Sequence, residues 1–191
     1  MNERTFHASQ AHKLDDPQRK AWLPPQEVLA ALRLRPPSVV ADIGAGTGYF
    51  SLPLADAAET ARVYAVDLQA EMLRLLEQKL SPQQAARITL LEGRATALPL
   101  ADASCDLVLM ANLWHELDGR PAVLAECRRI LREQGRVAIL DWRPGVAQPP
   151  GPSLAHRIPM EAVVRELEES GWKRPETRTI GEYSYLVLAE V

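Results

Sequence analysis

Three glycines at alternate positions, Gly44, Gly46 and Gly48, follow directly on the apolar run Val39-Val40-Ala41-Asp42-Ile43. An apolar run without alternation reads as a strand buried on both faces, and such strands belong to parallel sheets covered by helices. Glycine at every second position after it lets the backbone turn sharply and lets a ligand approach without meeting Cβ atoms. This feature asks for a strand, a tight turn and then a helix, with something bound on the turn.

The chain around it repeats the same alternation. A helix is predicted from about Tyr49 to Ala58, a second strand over Val63–Asp67, and a helix striped by Leu68, Met72, Leu75, Leu76 and Leu80. Strands follow at Ile88–Glu92 and Asp106–Ala111. A helix then opens at Pro121 and buries Val123, Leu124, Cys127, Ile130 and Leu131, with Gly135 as its cap, before a fifth strand at Val137–Leu140. Strand, helix, strand in this order gives parallel strands, right-handed crossovers and helices on both faces. The tail breaks the rule: after a helix striped by Met160, Val163, Val164 and Leu167 and capped by Gly171, residues 175–181 and 184–190 read as an antiparallel hairpin. Two segments stand outside the pattern. Residues 1–37 form a leader with two short helices punctuated by Asp16-Pro17, Pro24-Pro25 and Pro36-Pro37, and residues 143–159 carry five prolines and two glycines. The organisation read is one domain: leader 1–37, core 38–142, proline-rich substrate loop 143–159, and last helix with hairpin 160–191. Leader and loop are expected to fold over the mouth of the site.

What binds the glycine loop is narrowed by three details. The dinucleotide spacing G-x-G-x-x-G would place its third glycine at position 49, where this chain has Tyr49; the spacing here is G-x-G-x-G. Asp42 puts a carboxylate two residues before the first glycine, which repels a pyrophosphate and attracts a ligand bearing an amino group and a sulfonium. S-adenosylmethionine has both. Asp67, closing the second strand, suits the two ribose hydroxyls of either an NAD or an S-adenosylmethionine ligand, or caps the helix that starts at Leu68.

Val40-Ala41-Asp42-Ile43-Gly44-Ala45-Gly46-Thr47-Gly48 resembles motif I of the class I S-adenosylmethionine-dependent methyltransferases, and Val63-Tyr64-Ala65-Val66-Asp67 with Met72 resembles the acidic motif that follows. Ala103–Met110 and Leu131–Val137 are similar to the fourth and fifth strand regions of the type 11 subgroup. The resemblance covers roughly residues 38–142. It implies a Rossmann-like, doubly wound α/β sheet of seven mostly parallel strands in the order 3-2-1-4-5-7-6 with strand 7 antiparallel, in agreement with the hairpin read from the tail. It implies a cofactor site at Asp42, Gly44, Ala45, Gly46, Gly48, Tyr49, Asp67, Leu68, Met72, Arg94, Ala95 and Asn112, with S-adenosylhomocysteine as product. Relatives often carry Gly-Asp-Ala after strand 3; this chain has Gly93-Arg94-Ala95. Arginine accepts no hydrogen bond, so backbone atoms near Arg94 and Ala95, or water, must serve the adenine amino group.

Ligands of such sheets lie beyond the carboxyl ends of the strands. There the sequence reads Asn112-Leu113-Trp114-His115-Glu116 after strand 4 and Asp141-Trp142-Arg143 after strand 5. His115 is the candidate general base, because an imidazole titrates near neutrality; alternatively it is a loop histidine bonded to backbone. Asp141 orients the acceptor or His115, or caps a loop. Asn112 serves the methionine portion or the acceptor, and Trp114, Trp142 and His156 are candidate substrate residues, the tryptophans being equally suited to packing.

Charge and composition exclude several classes. With 22 Lys+Arg against 25 Asp+Glu the chain is mildly acidic and lacks the broad basic surface of nonspecific nucleic-acid binders, so nucleic acid is not the expected partner. Arg128, Arg129, Arg132 and Arg136 read as a solvated face at a helix end. No stretch approaches a membrane span, and the first residues lack an apolar secretory core. Cys105 and Cys127, in no C-x-x-C pair, read as core residues in a reducing cytoplasm. No histidine pair has metal-ligand spacing, and no metal is expected. The reading is a cytoplasmic methyltransferase acting on a small-molecule acceptor; a homodimer is compatible with it. The alternatives are an RNA or protein methyltransferase and a noncatalytic S-adenosylmethionine-binding regulator.

Overall fold

The computed structural model describes residues 6–146 and 151–191; parts of the two expected covering segments, 1–5 of the leader and 147–150 of the proline-rich loop, lie outside it. Among the described residues seven strands form one sheet: β1 (Ser38–Ile43), β2 (Thr60–Asp67), β3 (Ile88–Glu92), β4 (Cys105–Ala111), β5 (Leu131–Trp142), β6 (Lys173–Ile180) and β7 (Ser184–Glu190). Their order is β3-β2-β1-β4-β5-β7-β6. β7 runs antiparallel to both β5 and β6, while the other pairings are parallel. This is the sheet order the resemblance implied.

The helices are α1 (Arg19–Trp22), α2 (Pro25–Leu32), α3 (Ser51–Asp56), α4 (Ala70–Glu77), α5 (Pro82–Ala85), α6 (Arg120–Ile130) and α7 (Met160–Glu169). Side chains alternate across the strands, so each strand feeds two cores. Val108 and Met110 of β4 join Val137 and Ile139 of β5 beneath α6 and α7, where Val123, Cys127, Val163 and Leu167 meet them. Leu107 and Leu109 point the other way, into a core with Val28 and Leu32 of α2 and Leu54 of α3. Each fully buried Leu or Val of this kind contributes roughly 1.5–3 kcal/mol. Both cysteines lie in the first core, reduced and buried, and burial pushes the Cys127 thiol up to about 12.

Three local expectations need correction. The helix after the glycine loop is shorter than Tyr49–Ala58, because the loop continues through Phe50 and Pro53 falls in the first turn of α3. Gly135 does not cap α6: that helix ends at Ile130, the chain turns into β5 at once, and Gln134 takes the positive φ of 65°. The arginine cluster is a solvated face only in part: Arg132 is exposed and Arg128 and Arg129 are half-buried, while Arg136 is buried and donates to Arg33 O. Arg129 donates to Leu98 O and Leu100 O and pairs with Glu126 and Asp102, Arg132 pairs with Asp106, and Arg128 reaches Ser170 O. Arg129 and Arg132 fix the turn before β4, where a loop without them would leave carbonyls unpaired, and Arg128 ties α6 to the end of α7. Gly171, in contrast, does cap α7: with φ 79° it lets Gly171 N and Trp172 N return to Glu168 O and Leu167 O.

Candidate active site

The sheet reverses direction of travel between β1 and β4, and a cleft opens beyond the carboxyl ends of the strands at such a point. Here it is a cavity of about 620 Å³. The glycine loop forms its floor. Gly44 N and Ala45 N both donate to Val66 O of β2, at 2.8 and 3.0 Å, and Gly44 and Gly46 take φ of 72° and 54°. Asp67 locks the loop from the side: its carboxylate accepts from Gly46 N at 2.8 Å and from Gln69 N at 2.9 Å. It does not cap α4, whose N-cap is Gln69. Burial raises the Asp67 carboxyl above its ordinary range, against the pull of those amides.

Alternation puts Asp42 on the same face of β1 as Val40, toward α3, and Ser51 Oγ donates to it at 2.5 Å. Burial lifts this carboxyl to about 6, with Ser51 holding it down and Asp67 adding to the rise. Beyond β4, Asn112 takes a φ of 54°, donates its backbone N to Leu140 O and lines the cleft. Both side-chain atoms, Oδ1 and Nδ2, are buried without partners among the described residues. Burying an amide in that state costs about 1–3 kcal/mol, a cost that a polar ligand removes.

After Asn112 the chain forms a 3₁₀ turn over Trp114–Glu116, which sends successive side chains to opposite sides. His115 faces the cavity. Its Nδ1 lies 2.8 Å from Asp141 Oδ1, and its backbone N donates to Asp141 Oδ2 at 2.9 Å. Trp142 N also donates to Asp141 Oδ1, so three contacts hold this buried carboxylate in place. Burial opposes charge on the imidazole, but the hydrogen bond and negative charge of Asp141, with Glu116 adding to them, leave the His115 pKa above its ordinary value. Glu116 Oε1 lies 3.8 Å from His115 Nε2, and burial raises the Glu116 carboxyl to about 7.

Of the residues expected in the site, Asp42, Gly44, Ala45, Gly46, Tyr49, Asp67, Leu68, Met72, Arg94, Ala95, Asn112, His115 and Trp142 line this one cavity. Four others lie outside it. Trp114 turns into the core under α6 and α7, with Nε1 donating to Glu166 Oε2 at 2.9 Å. His156 sits exposed on a 3₁₀ turn, beside Ser153 Oγ. Gly48 faces α4: a Cβ there would stand 2.2 Å from Leu76 Cδ1, so this glycine is needed for packing and not for approach of a ligand. Asp141 is fully buried behind His115, in contact with its imidazole.

Several lining residues had no role in the sequence reading. Phe6, Gln10, Lys13, Leu14, Arg19 and Trp22 of the leader all reach the cavity. Leader contacts hold them there: Gln69 bonds both Phe6 O and Ala8 N, Glu116 Oε2 accepts from Phe6 N, and Asp15 accepts from Thr47 Oγ1 and Lys79. On the far side Trp22 stacks on Trp142 at 5.3 Å, and Arg157 lies over the same Trp142 ring while donating to carbonyls at 143, 146 and 152. These contacts join segments far apart in the chain, and no local spacing announces them.

The family of the type 11 methyltransferase domain matches residues 41–139, just over half of the chain. The chain belongs to the class I S-adenosylmethionine-dependent methyltransferases. It is 37% identical over 116 residues to the ubiquinone/menaquinone biosynthesis C-methyltransferase UbiE of Syntrophotalea carbinolica, covering 61% of this chain and 47% of that protein. To the malonyl-(acyl-carrier protein) O-methyltransferase of Methylococcus capsulatus it is 44% identical over 105 residues, 54% of this chain and 37% of the other. The chain thus spans less than half the length of these curated relatives. A crystal structure of an S-adenosylmethionine-dependent methyltransferase from Aquifex aeolicus is similar across the whole fold, with TM-score 0.89 and 28% identity over 98% of this chain and 100% of that one.

The residues of this chain fit the family's cofactor. The loop turns at Gly44 and Gly46 with positive φ, carboxylates stand at the ends of β1 and β2, and just past β4 the buried Asn112 amide has no hydrogen-bond partner among the described residues. The donor set is built for a cationic nucleoside with many polar atoms and not for a diphosphate, which both carboxylates would repel.

Proposed function

We propose that this chain transfers the methyl group of S-adenosylmethionine to a small-molecule acceptor whose attacking atom carries a proton near neutral pH, with His115 as the general base. S-adenosylmethionine supplies an activated methyl on sulfur, so the protein's main task is alignment of donor and acceptor. Asp67 binds the ribose, Asn112 and Asp42 take the methionine portion, and Leu68, Met72, Arg94 and Ala95 enclose the adenine. Trp142, with Trp22, Phe6 and Leu117, walls the acceptor side and excludes water.

The observation that carries the proposal is the His115–Asp141 pair at the cavity wall. With Nδ1–H donated to Asp141, Nε2 keeps its lone pair toward the cavity and can take the acceptor's proton as the new bond to carbon forms. Asp141 is a positioning residue: it fixes the tautomer and steadies the imidazolium that results. The small acceptor is supported by the leader residues and Gly151-Pro152 that border the cavity, and by the names of the quinone-methylating relatives.

The test is a screen of the chain with methyl-labelled S-adenosylmethionine against cell extract divided into small-molecule, RNA and protein fractions. Label should enter the small-molecule fraction, and His115→Ala should lower that incorporation by about 10²–10⁴-fold while sparing cofactor affinity. Label confined to RNA or protein would replace the acceptor class. Tight cofactor binding with no transfer to any fraction would favour a binding regulator.

A further inference from the structure

Arg19 of α1 is 6% exposed and lines the cavity, although the leader carried no cofactor residue in the sequence reading. Its guanidinium lies 4.1 Å from the centre of the Tyr49 ring, and Nη1 donates to Leu14 O at 3.0 Å. The Tyr49 hydroxyl in turn donates to Leu23 O, which pins the leader on the glycine loop. Arg19 Nε is buried with no partner among the described residues. Burial pulls the guanidinium down to about 10, against the pull of Tyr49, Asp15 and Asp42.

A guanidinium taken out of water with a donor unused is costly, and the fold tolerates it at a place that faces the ligand. An anion would both accept from that donor and neutralise the buried charge. Arginine's planar donor fork matches a carboxylate, and Asp42 on the same wall supplies the opposite sign. A phosphate dianion would meet Asp42 unfavourably, whereas an α-amino acid carries its ammonium and its carboxylate on one carbon and satisfies both groups.

We propose that Arg19 is the residue that binds the α-carboxylate of the methionyl end of S-adenosylmethionine, so that the leader is part of the cofactor site. The proposal rests on the cofactor reading above and adds to it a residue outside the matched region 41–139. It makes leader and cofactor mutually dependent: the carboxylate neutralises the buried cation, and the cation holds the segment that covers the cofactor.

Calorimetry with two probes tests it: S-adenosylhomocysteine and its decarboxylated analogue, which keeps the adenosine, the sulfur and the amine. The unaltered chain should prefer the carboxylate-bearing probe by about 10–100-fold, the range of a charge-assisted hydrogen-bonded pair. Arg19→Met should bring the two affinities within about twofold of each other, and Arg19→Lys should keep part of the preference. Because the readout is a ratio within one variant, general loosening of the leader does not mimic it. An undiminished preference in Arg19→Met would overturn the assignment, as would equal weakening of both probes or a change confined to the acceptor's KM. If the unaltered chain binds neither probe, the cofactor reading itself fails, and that is seen before any variant is made.

Discussion

His115 Nδ1 and Asp141 Oδ1 lie 2.8 Å apart, joining the loop after β4 to the end of β5. Asp141 spends its remaining capacity on two backbone amides, those of His115 and Trp142, so its geometry is set by the fold. Asp141→Asn would offer an NH₂ or a carbonyl to Nδ1 without the charge. Turnover is expected to fall by about 10²-fold or more, with S-adenosylhomocysteine affinity within about twofold of the unaltered chain. Unchanged turnover would leave Asp141 as a loop brace.

The same pair sets a pH dependence. Because Asp141 and Glu116 raise the His115 pKa above 6.5 despite burial, the free base is lost as pH falls through that raised value. The pH–rate profile should therefore decline on its acid side above pH 6.5, and Asp141→Asn should move that limb to lower pH. An acid limb that does not respond to the substitution would assign the titration to another group.

Glu116 gives a stability signature of opposite kind to an ordinary salt-bridged carboxylate. Burial lifts it from 4.5 to about 7, so between these values the folded chain holds a proton that the unfolded chain has released. Its contribution to stability is thus present at acid pH and lost as pH rises through about 7. Urea unfolding of Glu116→Gln should lose less stability than the parent between pH 5 and pH 8, by on the order of 2 kcal/mol. Parallel curves would contradict it.

Gly48 and Gly119 separate strain from collision. Both have positive φ, 87° and 69°, but a Cβ at Gly48 would meet Leu76 at 2.2 Å while one at Gly119 meets nothing within 4 Å. Gly119→Ala should cost about 1 kcal/mol from backbone strain, and Gly48→Ala about 2–4 kcal/mol. Equal losses in chemical denaturation would mean that Leu76 yields freely.

The strands and the sheet order were legible because two-sided burial gives unbroken apolar runs, as in Leu107–Met110, and because the tail can close only as a hairpin. The glycine loop with Asp42 and Asp67 was legible because that backbone turn needs residues without Cβ at fixed spacing. The substrate side was not. Trp114 and His115 are neighbours in sequence, and only the 3₁₀ turn decides that one enters the core and the other the cavity. Arg19, Gln69 and Trp22 reach the site through contacts across tens of residues, which no periodicity encodes. α5 did carry a readable signal, the Ser81–Gln84 capping box with Pro82 at its first position.

Asp67 carries the claim on which the rest depends, that this cavity holds S-adenosylmethionine through a carboxylate at the end of β2. The direct measurement is calorimetric titration of the chain, and of Asp67→Ala, with S-adenosylhomocysteine and with NAD. Saturable one-to-one binding of S-adenosylhomocysteine alone is expected, weakened in the variant by about 1–3 kcal/mol. Binding of NAD in preference to S-adenosylhomocysteine, or an affinity that ignores the loss of Asp67, would contradict the account.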